Sequence, residues 1–156
     1  MLFFVAVIPV IVLCFFIYIK DSHKEPSSLL LKLFFGGFLV TIPILIAELF
    51  LSIFFSPDKV SSFILIFIFS FISIAIVEEG FKWLVVKWLG FKNKEFDEIY
   101  DIIVYSVFVS LGFACIENIL YVYQNGLSTG YMRAVLSVPG HTCFGVFMGY
   151  YFVAHY

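Results

Sequence analysis

The sequence alternates between long apolar runs and short segments that hold most of its charges. The apolar runs occupy residues 2–19, 29–55, 63–90, 99–123 and 134–156. Between them lie 20–28 with Pro26, 56–62 with Pro57, the charged segment 91–98, and 124–133, which Gly126 and Gly130 mark as a turn-rich linker. About 20 apolar residues carry a helix across the hydrocarbon core of a bilayer. Backbone in lipid must satisfy its own polar groups, and a helix does so within one segment. None of the runs shows the alternating polarity of a membrane β-strand. The pattern therefore predicts an all-α, polytopic membrane protein of about five transmembrane helices, forming a single integral-membrane domain over 1–156. The second, third and fourth runs exceed a minimal span, so tilt or projecting ends must absorb the excess.

Composition sharpens this picture. Hydrophobic residues make up 63% of the 156 residues and charged residues only 13%, against roughly 25% charged in ordinary globular chains. Soluble and disordered classes are excluded. The net charge of −2 leaves no basic surface for nucleic acid. The first run lacks both a basic n-region and an A-x-A-like site, and reads as a retained span rather than a signal peptide. Cys14, Cys115 and Cys143 lie inside apolar runs and imply no disulfide framework. Lys20, Lys24, Lys87, Lys92 and Lys94 belong to the first and third loops, whereas Lys59 and Arg133 belong to the second and fourth. That bias places loops 1 and 3 in the cytoplasm and the N-terminus outside, in a multi-pass cell-membrane protein.

Ionisable residues inside spans cost roughly 2.5–3.5 kcal/mol each on insertion scales, which makes them the first place to look for chemistry. They are Glu48, Glu78, Glu79, Lys82, Glu117 and His141, with His155 near the end. In Glu78-Glu79-Gly80-Phe81-Lys82, helical geometry puts Lys82 about 40° from Glu78 and about 60° from Glu79, one turn along. The ammonium can reach either carboxylate. One is then neutralised and the other keeps a like-charged neighbour, an arrangement suited to general acid/base work. A simple ion pair with snorkelling Lys and Trp side chains is the plainer alternative, and it leaves one glutamate unexplained.

Ser106, Ser110, Glu117 and Tyr121 fall near one line on the fourth span, a small and polar stripe ending in a carboxylate. Asn118 beside it can donate to a substrate carbonyl or to a neighbouring helix. Pro139 and Gly140 precede His141, where they can free or distort backbone. Gly145 and Gly149 form a GxxxG step that admits another helix closely. Glu48 is read as an outer-interface residue and His155 as interfacial. Span lengths put Glu117 and His141 at similar depth and Glu78 deeper, so whether the three meet depends on how the third span is tilted or offset.

Three of these segments together resemble the PrsW family of intramembrane proteases, within the wider group that includes the CAAX prenyl proteases and Abi proteins. Glu78-Glu79-x-x-Lys82 is similar to the family's first motif, EExxK. Phe113-x-x-x-Glu117, followed by Asn118, resembles the second, FxxxE. His141-x-x-x-Gly145, after Arg133 and Ser137-Val138-Pro139, resembles the third. The stretch from Tyr100-Asp101 to Tyr105, leading into Gly112-Phe113, also resembles the approach to the second motif. The likeness runs from about Ser73 onward. It implies a bacterial membrane peptidase that makes a site-1-type cut in a membrane-anchored protein, such as an anti-sigma factor. It also implies Glu78, Glu79, Lys82, Glu117 and His141 as catalytic residues, with Asn118 and Phe113 toward the substrate. Family members continue for about two more helices with a His-Gly-x-x-Asp-like motif. The sequence shows no such motif, so it is expected to lack the family's C-terminal part and one histidine of the catalytic set.

Two versions of the chemistry stay open. In one, a carboxylate takes a proton directly from the attacking water. In the other, Glu78, Glu79, Glu117 and His141 supply ligands to a divalent metal such as zinc, with one open position. No HExxH helix is present. A non-enzymatic reading also stands, in which the buried Glu, Lys and His set is a proton or cation relay or a helix–helix interaction network.

Overall fold

The computed structural model describes residues 1–54, 62–96 and 98–154. Among them the chain is helical almost throughout and has no strand. The helices are α1 (Leu2–Lys20), α2 (Ser27–Phe54), α3 (Phe63–Ser70), α4 (Val77–Val85), α5 (Ile99–Asn125), α6 (Leu127–Val135) and α7 (Ser137–Ala154). A π-helical segment, Phe71–Ile76, joins α3 to α4, and a second, Val86–Gly90, follows α4. Helices α1, α2 and α5 are each long and apolar enough to cross a membrane. The third apolar run is one helical stretch broken twice by π geometry, and α7 carries Ser137, His141 and Thr142 in its first two turns. The protein is an all-α membrane fold.

Helix α5 is the axis of the bundle. In its apolar window 78% of the residues are buried, against 11% in α1 and 33% in α2. Val104, Tyr105, Val107, Val109 and Leu111 are fully enclosed on successive faces, as expected of a helix that is surrounded rather than half-solvated. Its start is fixed by a capping box, in which the Glu98 backbone N–H donates to Asp101 Oδ2 at 2.8 Å.

Small residues let the neighbours come close. A methyl group added at Gly37 would collide with the Val109 carbonyl, and one at Gly112 with the Phe34 carbonyl, so α2 and α5 cross backbone to backbone. The GxxxG step of α7 packs on the same helix from the other side. Gly145 faces Val107 and Gly149 faces Ile103, where a Cβ would lie 2.9 and 2.6 Å from the respective Cα atoms.

Residues 127–135 differ from the turn-rich linker the sequence predicts. Only Gly126 breaks the helix, with φ of 85°, a conformation that favours glycine. Gly130 sits inside α6 because its missing side chain makes room for Val5 and Val122.

The two lysine-bearing loops share one end of the bundle. His23 pairs with Glu98, and Phe152 near the end of α7 stacks on Phe91 and Trp83 at centroid distances of 4.9 and 5.6 Å. Helix α6 lies near the start of α1, at the opposite end.

Candidate active site

The site begins on α4. Its i, i+3 and i+4 spacing is realised directly, because Lys82 Nζ donates to Glu79 Oε1 at 2.7 Å and to Glu78 Oε2 at 3.2 Å. Lys82 is completely buried. An ammonium taken out of lipid and water alike needs compensation from every side. Two carboxylates supply it, together with the Phe113 ring, whose centroid is 4.0 Å from Nζ, and His141, whose Nδ1 is 3.4 Å away. The π-helical segment ending at Ile76 lies immediately before the glutamate pair, a placement common for such bulges.

His141 links this cluster to α5. Its Nε2 lies 2.9 Å from Glu117 Oε2. An ammonium can only donate, so Nδ1 accepts from Lys82 and Nε2 carries the hydrogen given to Glu117. Phe113 meets the imidazole edge-on at 5.4 Å between centroids. The motif spacing explains the pairing, since Phe113 and Glu117 are one helical turn apart and present both groups to α7.

Beyond Glu117 the polar network continues. Arg133 Nη2 donates to Glu117 Oε2 at 2.7 Å, and Arg133 Nε donates to Asn118 Oδ1 at 2.7 Å. Asn118 Nδ2 in turn donates to the Ala6 carbonyl of α1 at 2.7 Å. The guanidinium carbon lies 4.3 Å from the Tyr121 ring centroid.

The five residues the sequence singles out as catalytic are thus gathered from three helices into one cluster, and the depth question is answered by Lys82, which reaches one turn further along α4 than Glu78. Phe113 forms an aromatic wall of the cluster. Both ends of the Asn118 amide are engaged within the protein. Ser106 and Ser110 are fully buried on α5, and the Tyr121 ring supports Arg133. Glu48 of α2 is half-buried. His155 lies outside the described residues. Arg133, which the sequence places both in the fourth loop and just before the third motif, was not counted among the catalytic residues; the structure brings it onto Glu117.

A divalent ion has a set of donors here. One ligand atom each from Glu78, Glu79 and His141 lie within 4.8 Å of one another. Two carboxylates and an imidazole are a fitting set for zinc, and Glu117 stands behind the imidazole as an orienting carboxylate. Glu117 itself meets the far ring nitrogen rather than joining this donor group. Lys82 Nζ stands among the same three donors. Beside Glu79, an open groove of about 380 Å³ runs between α4 and α7, lined by Trp83, Phe144, Phe147 and Phe152.

A multi-helix membrane bundle that gathers three carboxylates around a fully buried ammonium and a buried imidazole defines an integral-membrane protein built around a polar site. The comparisons with known proteins agree. A family profile described as PrsW family intramembrane metalloprotease matches residues 25–155, and the chain belongs to that family. It is similar to the protein named Protease PrsW of Oceanobacillus iheyensis, with 43% identity over 143 residues, covering 92% of this chain and 64% of that protein. It is also similar to Protease PrsW of Geobacillus kaustophilus, at 42% identity over 94% of this chain and 63% of that protein. The Protease PrsW of Bacillus subtilis is 38% identical over 92% of this chain and 63% of its own length. The chain therefore spans somewhat under two thirds of the length of these relatives. No solved structure matches it.

Proposed function

We propose that the protein is an intramembrane peptidase that hydrolyses membrane-anchored protein substrates with a glutamate-activated water. The observation that carries this reading is the ammonium of Lys82 held between two carboxylates and facing an imidazole that a third carboxylate orients. Lys82 makes its shorter contact with Glu79, so Glu79 is the paired carboxylate and Glu78 the general base. Glu78 takes a proton from water, and the oxygen adds to the scissile carbonyl carbon. His141, whose Nδ1 accepts from Lys82 and whose Nε2–H is committed to Glu117, holds the ammonium beside Glu78 and the water. Lys82 stabilises the developing oxyanion. The proton on Glu78 then passes to the leaving amide nitrogen, which completes hydrolysis with no net consumption of acid or base.

Glu78, Glu79 and His141 would hold a divalent ion such as zinc. When bound, it would lower the pKa of a coordinated water and polarise the carbonyl. The name of the relatives supports peptidase chemistry, and an anti-sigma factor cut at its first site is the substrate the family resemblance favours. The Lys-rich end of the bundle is assigned to the cytoplasm and the N-terminus to the outside.

The relay reading draws on one observation, the unbroken polar string from Asn118 through Arg133, Glu117 and His141 to Lys82. Cleavage of a tagged single-span reporter by the wild-type chain and by Glu78→Gln separates the two. A peptidase loses cleavage while insertion survives, and a relay never cleaves.

A further inference from the structure

We infer that Arg133 is a positioning residue of this site, which through Glu117 holds the His141 imidazole with Nδ1 turned toward Lys82, Glu78 and Glu79. This deepens the peptidase reading and rests on it for its catalytic consequence. Arg133 comes from α6, an element that contributes nothing else to the cluster, and its side chain is only 13% exposed. It uses two arms. Nη2 holds Glu117 Oε2, the same oxygen that accepts from His141 Nε2. Nε holds the carbonyl of Asn118, the residue next to Glu117.

The guanidinium is fixed in turn. Asn118 can offer its carbonyl to Arg133 because its amide is spent on the Ala6 carbonyl. The Tyr121 ring, one turn beyond Glu117, lies against the guanidinium. Arg133 thus meets three positions on one face of α5 at 117, 118 and 121. A planar fork suits this task, whereas an ammonium is a point charge that can serve one partner well. Without Arg133, the Glu117 carboxylate that receives the His141 Nε2–H loses its second anchor, and the ring is held in place less firmly although Lys82 still faces Nδ1. Orienting groups behind a histidine commonly account for 10–100-fold in activity or metal affinity.

The test is nitrogen NMR on the 15N-histidine-labelled 156-residue chain in lipid nanodiscs, paired with reporter cleavage. Three histidines are present, His23, His141 and His155, and the His141 signals are those lost in His141→Gln. The wild type is expected to show one His141 form, with Nε2 protonated and Nδ1 bare. Arg133→Gln is expected to shift and broaden the His141 Nε2–H signal as its hydrogen bond to Glu117 loosens, with Nδ1 still bare, and to lower kcat about tenfold or more at near-constant KM. Arg133→Lys, which keeps the charge and loses the fork, falls between. An Arg133→Gln chain that stays folded and keeps the wild-type His141 pattern overturns the inference. If Arg133→Gln does not fold, an unchanged pattern in Arg133→Lys overturns it equally. Silence of both wild type and Glu78→Gln in the cleavage assay counts against the peptidase reading alone, because the His141 signals are read without turnover.

Discussion

Lys82 of α4 and His141 of α7, 59 residues apart in sequence, meet with Nζ 3.4 Å from Nδ1. That contact joins two otherwise separate groups, the Glu78–Glu79–Lys82 cluster and the Glu117–His141 pair, into one site. It also means that every potential metal donor in the cluster already faces a cation carried by the protein itself.

Removing that cation leaves the buried Glu78 carboxylate uncompensated, with the partly exposed Glu79 carboxylate beside it. Breaking a buried ion pair from one side typically costs about 3–5 kcal/mol. Lys82→Met is therefore expected to lower stability by that order, measured by chemical unfolding in mixed micelles. A variant as stable as the wild type would show that the ammonium is not needed to offset the glutamates.

The same geometry makes Lys82 and a divalent ion competitors for Glu78, Glu79 and His141. Zinc binding by the purified protein, followed by calorimetry, is expected to tighten by about tenfold or more in Lys82→Met, equivalent to about 1.4 kcal/mol. It is expected to be lost on adding Glu78→Gln or His141→Ala. Equal zinc affinity with and without the lysine would contradict the competition.

The crossing of α2 and α5 tolerates no side chain at Gly37 or Gly112, because the obstacle is backbone carbonyl rather than a movable side chain. Gly112→Val is expected to cost at least about 1–3 kcal/mol, the range for overpacking a close-packed interior. Gly140→Ala serves as the control, since nothing lies within 4 Å of a methyl group there. Thermal unfolding of the two variants in nanodiscs checks the difference.

Glu25, in the loop between α1 and α2, is buried, and burial pushes its carboxyl up from 4.5 to about 7, with the nearby Asp101 and Asp21 carboxylates adding to the rise. Below about pH 4.5 the group is protonated in both folded and unfolded chains. Between 4.5 and 7 the unfolded chain releases the proton first, so this group lowers stability as pH rises through that window and keeps it lower above. The difference in stability between wild type and Glu25→Gln, followed from pH 4.5 to 7.5, is expected to move against the wild type as pH rises. A flat difference would mean that Glu25 ionises as it does in the unfolded chain.

Much of this architecture was legible in the sequence. Run lengths and the absence of alternation were enough for an all-α membrane fold, because lipid allows few other ways to satisfy a backbone. The spacing of Glu78, Glu79 and Lys82 gave their mutual contacts, since helical geometry is local. The convergence of Glu117 and His141 on that cluster was open, because relative depth depends on tilt and on the π-helical segments of the third run, which change helical phase without any mark in the pattern of apolar residues. Helix α6 was hidden by Gly126 and Gly130, two glycines that look alike in sequence. One breaks the helix through its backbone, and the other only makes room for Val5. Arg133 was legible as a neighbour of the third motif, but its contact with Glu117 depends on how α6 packs on α5 and leaves no mark in the sequence.

The most direct test of the account is cleavage of a tagged single-span reporter in a bacterial membrane by wild type, Glu78→Gln and Glu79→Gln at matched insertion. The account predicts loss of cleavage by at least about 10²-fold in Glu78→Gln, the lower range for a general base, with a smaller loss in Glu79→Gln. Undiminished cleavage by a well-inserted Glu78→Gln chain, or none by the wild type, would contradict it.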